Sequence, residues 1–184
     1  MNTATTNYQV RFGGVGGQGI VLVARLLGKA AALFDGKEAV STQTYGPEAR
    51  GGAARADVVI SDTAVDYPFV TKADALAVLF QDAYTKFRPQ LRSGGTLIVD
   101  ESLVRPSAED SEAIVIPATK IAEELGSKIV ANIVMLGCLV GKTGVVSRES
   151  VEEAIRSTVK PHVLDLDLKA LDAGIRFAQG EATT

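Results

Sequence analysis

The sequence predicts an α/β fold: a single domain with a mostly parallel sheet, helices on both faces and a Rossmann-like first βαβ unit. Three observations carry this. Apolar runs of strand length alternate along the chain with segments whose apolar residues recur at helical spacing, and such alternation places a parallel sheet between helical layers. Residues 75–80 are apolar throughout rather than at every second position, as a strand covered on both faces is. A glycine-rich segment, Gly13-Gly14-Val15-Gly16-Gly17-Gln18-Gly19, stands between the first strand and the first helix.

Residues 8–12 are the first strand. Residues 20–34 carry Ile20, Val23, Ala24, Leu27, Ala30 and Ala31 at helical spacing, and Asp35-Gly36 stops that helix. Residues 38–42 form a second strand, 44–52 a glycine-bearing loop, and 53–61 a third strand that alternates before becoming apolar. Strand 75–80 leads into a helix at 82–91. The turn Ser93-Gly94-Gly95 opens a strand at 96–100, and 113–116 is the last strand. Helices follow at 118–125 and 131–141. The next helix has Ser147 or Ser150 as its cap, the latter at capping-box spacing from Glu153. The last helix spans 162–177. Residues 1–7 are expected to be a flexible N-terminus, 8–178 the domain and 179–184 a tail.

A chain of 184 residues fits one domain and buries roughly two-thirds of the surface its unfolded form exposes. With a net charge of −3 there is no overall attraction to nucleic acid or to an anionic membrane. Trp is absent and aromatics are 5%, so base-stacking platforms are scarce. The longest apolar stretch, 129–140, is interrupted by Asn132 and is too short to cross a bilayer. Residues 1–7 lack the basic and apolar regions of a signal peptide. The one cysteine, Cys138, cannot hold an iron–sulfur cluster, build a structural zinc site or close an internal disulfide. It reads as a small buried hydrophobe, and the chain suits a reducing cytoplasm.

Gly14, Gly16 and Gly19 satisfy G-x-G-x-x-G between strand and helix. Glycine permits positive φ and close approach of another group to the backbone, and a helix start offers unpaired N–H groups to an anion. A Gly16→Val substitution is expected to strain this loop if Gly16 has positive φ. The dinucleotide reading further requires an acid about twenty residues on, at the end of the second strand. That strand ends Ser41-Thr42-Gln43, and Glu38 lies at its beginning, so binding of NAD or NADP is disfavoured. The alternative is that these glycines only permit tight helix–strand packing. Gln18 is either a donor to an anion or partner backbone, or an exposed first-turn residue.

The second loop reads Thr44-Tyr45-Gly46-Pro47-Glu48-Ala49-Arg50-Gly51-Gly52. In a parallel sheet both glycine loops leave carboxyl ends of strands and converge on one edge. Arg50, beside Gly51 and Gly52, is the candidate for anion recognition because guanidinium binds carboxylate or phosphate through two parallel hydrogen bonds. The alternative is an ion pair with Glu48. Tyr45 is an interface anchor or a core residue.

Together the two loops resemble the gamma subunit of 2-oxoacid:ferredoxin oxidoreductases. Further matches follow in order: Val59-Ile60-Ser61-Asp62, Asp66-Tyr67-Pro68, Gly94-Gly95-Thr96-Leu97-Ile98, Ile116-Pro117-Ala118, Ile121-Ala122 and Asn132-Ile133-Val134-Met135-Leu136-Gly137. The resemblance extends over residues 8–160. The Tyr45 to Gly52 form is most similar to the 2-oxoglutarate branch; phenylglyoxylate, pyruvate and indolepyruvate relatives share the architecture. The resemblance implies oxidative decarboxylation of a 2-oxoacid with coenzyme A, giving acyl-CoA, carbon dioxide and reduced ferredoxin. It also implies that thiamine diphosphate, magnesium and iron–sulfur clusters reside on partner subunits, with ferredoxin met indirectly. The chain itself is then an accessory subunit, inactive alone, with neither catalytic residues nor metal ligands. Its implied contact edge for coenzyme A or a partner is Gly14, Gly16, Gly17, Gln18, Gly19, Tyr45, Arg50, Gly51 and Gly52. A stand-alone dinucleotide-binding protein and an inert scaffold are the rival readings.

Four other residues bear on the site. His162, the only histidine, is expected on the surface or as a cap. Asp100 and Glu101 are adjacent on a strand and point to opposite faces, so they do not share a site. Asn132 is expected to cap the helix that it opens. Asp62 either helps the ligand edge or starts a turn.

Overall fold

The computed structural model describes residues 7–44 and 52–181. Six strands, β1 (Tyr8–Val15), β2 (Glu38–Thr44), β3 (Ala53–Ser61), β4 (Ala73–Val78), β5 (Leu91–Asp100) and β6 (Ile114–Ile116), form one sheet in the order β2-β3-β1-β4-β5-β6. The pairs β1–β4, β4–β5 and β5–β6 are parallel, and β3 pairs antiparallel with both β1 and β2. β2 therefore points the same way as β1, and β3 alone runs against the sheet. The reason lies in the second glycine loop, which is too short for a parallel crossover of a dozen or more residues. The chain turns straight back, and β2 and β3 pair over all of β2.

The helices are α1 (Ile20–Lys29), α2 (Gln81–Phe87), α3 (Ala118–Glu124), α4 (Ala131–Thr143), α5 (Arg148–Arg156) and α6 (Pro161–Ala178). Where α1 was expected to run on to residue 34, its last turn widens into a π-helical segment, Ala30–Phe34. Pro89 ends α2 early, in a 3-10 turn, Arg88–Gln90. The expected turn at Gly94-Gly95 is absorbed into β5 as a register shift opposite Ala73 and Ala75. A Cβ on Gly95 would lie 3.0 Å from the carbonyl oxygens of Arg92 and Asp74, so that irregular strand needs a glycine there. Ser147, not Ser150, is the N-cap of α5: its side chain accepts from the Ser150 N–H. Gly144, at φ 59°, closes α4.

Helix α4 is buried from Ala131 through Val140, between the sheet and α6. Each aliphatic side chain fully buried there contributes about 1.5–3 kcal/mol. Cys138 lies among them, at 0% exposure, and burial pushes its thiol up to about 12. α4 and α6 touch backbone to backbone. A Cβ on Gly174 would lie 2.0 Å from the Val134 carbonyl oxygen, and one on Gly137 2.2 Å from that of Leu171.

Beneath α2 the sheet buries a charge pair. Arg11 on β1 stands opposite Asp57 on β3. Its Nε and Nη2 donate to the two carboxylate oxygens at 2.7 and 2.8 Å, and Nη2 also donates to the Val70 carbonyl at 2.9 Å. The guanidinium lies 5.6 Å from the Phe87 ring centroid. Removing one partner of such a pair costs about 3–5 kcal/mol because the other is left charged and buried. Among the described residues, no helix is long and apolar enough to cross a membrane.

Candidate functional site at the carboxyl edge of the sheet

β1 runs on through Gly13 and Gly14, so only residues 16–19 remain as the turn into α1. The glycines divide into two groups. A Cβ on Gly13 would meet Val78 Cγ1 at 2.6 Å, and one on Gly14 would meet Gln18 Oε1 at 2.6 Å. Gly19, at φ 70°, would place a Cβ 2.2 Å from Asn132 Nδ2. These three serve packing. Gly16 and Gly17 are exposed, and a Cβ on either would meet no atom of the described residues within 4 Å. Gly17 has φ 94°, but Gly16 is not in the positive-φ region. The strain expected of Gly16→Val therefore does not arise; the turn needs its left-handed residues at Gly17 and Gly19.

Gln18 holds this loop in place. Its Oε1 accepts from the Val15 N–H at 2.8 Å, and its Nε2 donates to the Leu79 carbonyl at 2.8 Å, linking the loop to the end of β4. Neither sequence reading of Gln18 anticipated this bridge. Asn132 is no cap: Val130 is the N-cap of α4, and Asn132 sits one residue inside the helix, where its Nδ2 donates to the Gly19 carbonyl at 3.2 Å.

A cleft of about 330 Å³ opens beside the loop, lined by Gly17, Gln18, Leu79, Leu103, Lys128 and Asn132, with the 76%-exposed Ile129 at its rim. α1, α3 and α4 all begin at this edge. The start of α3 is already satisfied by Asp100, which accepts from Thr119 N and Oγ1 at 2.7 and 2.9 Å. The buried Asp100 carboxylate also takes Ser102 N, Ser102 Oγ and Leu103 N. Exposed Glu101 shares none of this. Among the described residues the start of α1 has no side-chain cap, and its first turn holds no acidic residue, so none of them neutralises its positive end beside Gly16 and Gly17. Lys128 pairs with Glu123 at 2.6 Å on the surface, which raises its pKa.

The second loop ends at the same edge. Val15 pairs with Ala53 and Thr44 with Arg55, so the chain enters and leaves residues 45–51 next to the first loop. Tyr45, Arg50 and Gly51 themselves lie outside the described residues; Gly52 is half-buried at the start of β3. Asp62 is on the opposite edge, because β3 runs backward, and its ligand-edge reading is withdrawn. His162 is exposed at the second position of α6. Lys128, Ile129, Leu103 and Leu79 were missed by sequence reasoning. They come from three connections far apart in the chain, and no spacing rule joins them.

A cleft of about 870 Å³ lies elsewhere, at the start of β5. Two of its cations are engaged, Arg88 with Asp110 and Arg92 with Asp74. Its greater volume therefore carries less chemistry than the open glycine edge. Among the described residues, no group of three or more His, Cys, Asp or Glu side chains is placed to hold a metal ion.

An open glycine turn before an uncapped helix suits an anion, and the match along the chain decides the family. The pyruvate ferredoxin/flavodoxin oxidoreductase family matches residues 9–177. The chain belongs to that family. It is 48% identical over 175 residues to 2-oxoglutarate synthase subunit KorC of Methanocaldococcus jannaschii, covering 93% of this chain and 94% of that protein. The gamma subunit of a keto/oxoacid ferredoxin oxidoreductase from Geobacter sulfurreducens superposes with a TM-score of 0.84 at 40% identity, over 95% of this chain and 98% of that one. The 2-oxoglutarate:ferredoxin oxidoreductase from Magnetococcus marinus, solved with 2-oxoglutarate, coenzyme A and succinyl-CoA bound, shares the fold at a TM-score of 0.85 and 23% identity. There 97% of this chain matches 32% of a longer one, so one oxidoreductase polypeptide carries this fold as a part of itself.

Proposed function

We propose that this chain is the gamma-type subunit of a 2-oxoglutarate:ferredoxin oxidoreductase. The observation that carries the reading is the 48% identity to a KorC subunit over nearly the full length of both proteins. The assembled enzyme cleaves the bond between the carboxyl and carbonyl carbons of 2-oxoglutarate. It releases carbon dioxide, joins the acyl group to the sulfur of coenzyme A with loss of the thiol proton, and passes two electrons, one at a time, to oxidised ferredoxin. Thiamine diphosphate and iron–sulfur clusters supply the carbanion and electron-transfer chemistry from partner subunits. This chain's donor set does not fit a cluster, since its one thiol, on Cys138, is buried and held protonated.

The part assigned to this chain is binding. Gly16 and Gly17 let a phosphate group or a partner backbone approach the open end of α1, and Gln18 and Asn132 hold the turn rigid for it. Gly14 and Gly19 keep the turn packed. Tyr45, Arg50, Gly51 and Gly52 are proposed to complete the same edge, with Arg50 contacting coenzyme A phosphate or a partner carboxylate. The working form is a cytoplasmic heteromeric complex with a thiamine-bearing subunit.

The test is co-expression with the thiamine diphosphate subunit of the same genome and an assay of coenzyme A-dependent ferredoxin reduction. Activity is expected with 2-oxoglutarate above pyruvate, indolepyruvate or phenylglyoxylate, and none from the chain alone. Failure to assemble, together with stabilisation of the isolated chain by NAD(H), would support the dinucleotide reading instead.

A further inference from the structure

We propose that the connection between β3 and β4, residues 62–72, docks an arginine or lysine side chain of another subunit; this rests on the subunit role proposed above. The connection lies at the amino edge of the sheet, opposite the glycine turn. Tyr67 and Phe69 are 57% and 53% exposed, and their rings meet edge to face with centroids 5.5 Å apart. In the same connection Asp62 and Asp66 are exposed, Asp66 next to Tyr67 in sequence, and among the described residues neither carboxylate has a hydrogen bond or ion pair.

The connection is held at both ends. Val70, next to Phe69, is buried, and its carbonyl accepts from the buried Arg11 at 2.9 Å. The Thr71 N–H donates to Gln9 Oε1 at 3.1 Å, and the Thr63 N–H to Ser61 Oγ at 3.1 Å.

The chemistry selects the occupant. Aromatic faces attract a cation through their quadrupole, and free carboxylates offer it charge-assisted hydrogen bonds. Exposed rings alone would suit an apolar partner. Exposed rings in a connection that also carries two unpaired carboxylates favour guanidinium or ammonium over an anion. Because this surface is on the far edge, a subunit held here leaves the glycine turn and its cleft open.

The experiment uses the complex assembled from co-expressed subunits and measures, at low and high salt, the concentration at which half the chain is bound. The double variant Tyr67→Ala with Phe69→Ala is expected to weaken assembly about tenfold, equivalent to about 1.4 kcal/mol, with the melting temperature of the isolated chain unchanged. Tyr67→Phe keeps the aromatic face and is expected to assemble as wild type. Asp62→Asn with Asp66→Asn is expected to weaken assembly at low salt and to reduce its salt dependence. Wild-type assembly by the double aromatic variant overturns the proposal. So does self-association of the isolated chain that the same variant abolishes, since the occupant would then be a second copy. A wild-type chain that assembles with no partner overturns the subunit role itself, and this inference falls with it.

Discussion

Two sets of glycines in this protein look alike in sequence and do opposite things. At the α4–α6 seam, Gly137 and Gly174 are pressed against backbone, and a methyl group on either would overlap a carbonyl oxygen. In the first loop, a Cβ on Gly16 or Gly17 would meet no atom of the described residues. The seam glycines explain themselves: they let two helices meet. The loop pair has no partner within the described chain, so packing accounts for Gly13, Gly14 and Gly19 but leaves Gly16 without a structural duty. Gly16 leaves room there for the approach of a group beyond the described residues.

The largest effect is expected where there is no room. Gly174→Ala would force α6 away from Val134 and Cys138, and should destabilise the chain by about 3 kcal/mol, the upper end of ordinary overpacking. Chemical denaturation measures it, and wild-type stability in this variant would show that the seam is looser than its geometry. Next comes Gly19→Ala. A left-handed alanine and a displaced Asn132 amide together should cost about 2 kcal/mol. Gln18→Ala removes two hydrogen bonds and should cost about 1–2 kcal/mol. It should also raise hydrogen exchange at Val15. An unchanged exchange rate would mean that the turn does not depend on its side-chain bridge.

These contrasts show what the sequence made legible. The α/β class, the six strands and the placing of the first glycine turn between strand and helix followed from periodicity and from Gly and Pro positions. The reversed β3 was also within reach, since a loop of nine residues, 44–52, cannot carry a crossover. Its direction moved Asp62 to the wrong edge for ligand contact. The distinct duties of Gly14, Gly16 and Gly19 were not legible. Whether a glycine is crowded depends on Gln18, Ile20 and Asn132, and Asn132 is more than a hundred positions away. Lys128 and Ile129 stayed hidden for the same reason. The family motif at Asp66-Tyr67-Pro68 was visible as a match, but its exposure and its place at the amino edge required the fold.

A smaller effect sharpens the seam side of the comparison. Asp167 is buried on α6 at 6% exposure, and desolvation raises its pKa above the ordinary 3.8. A raised carboxylate pKa favours the folded state at low pH, and that contribution is lost as pH rises through the folded value. At neutral pH the charge therefore opposes folding. Asp167→Asn should raise the melting temperature modestly at pH 7, and the gain should vanish below pH 3.8. A loss of stability at pH 7 would mean that the carboxylate has a favourable partner.

Gly16→Val tests most directly whether the open glycines serve an external group. The residue is exposed, lacks positive φ, and a Cβ there would meet no atom of the described residues within 4 Å, so the substitution should leave the melting temperature of the isolated chain unchanged. The measurement is the kinetics of the assembled complex with coenzyme A varied at saturating 2-oxoglutarate, with assembly yield recorded alongside. The account predicts a raised KM for coenzyme A or a lowered yield of complex, at wild-type chain stability. Wild-type values for stability, yield and KM together would contradict it, and the first glycine turn would then be a packing device throughout.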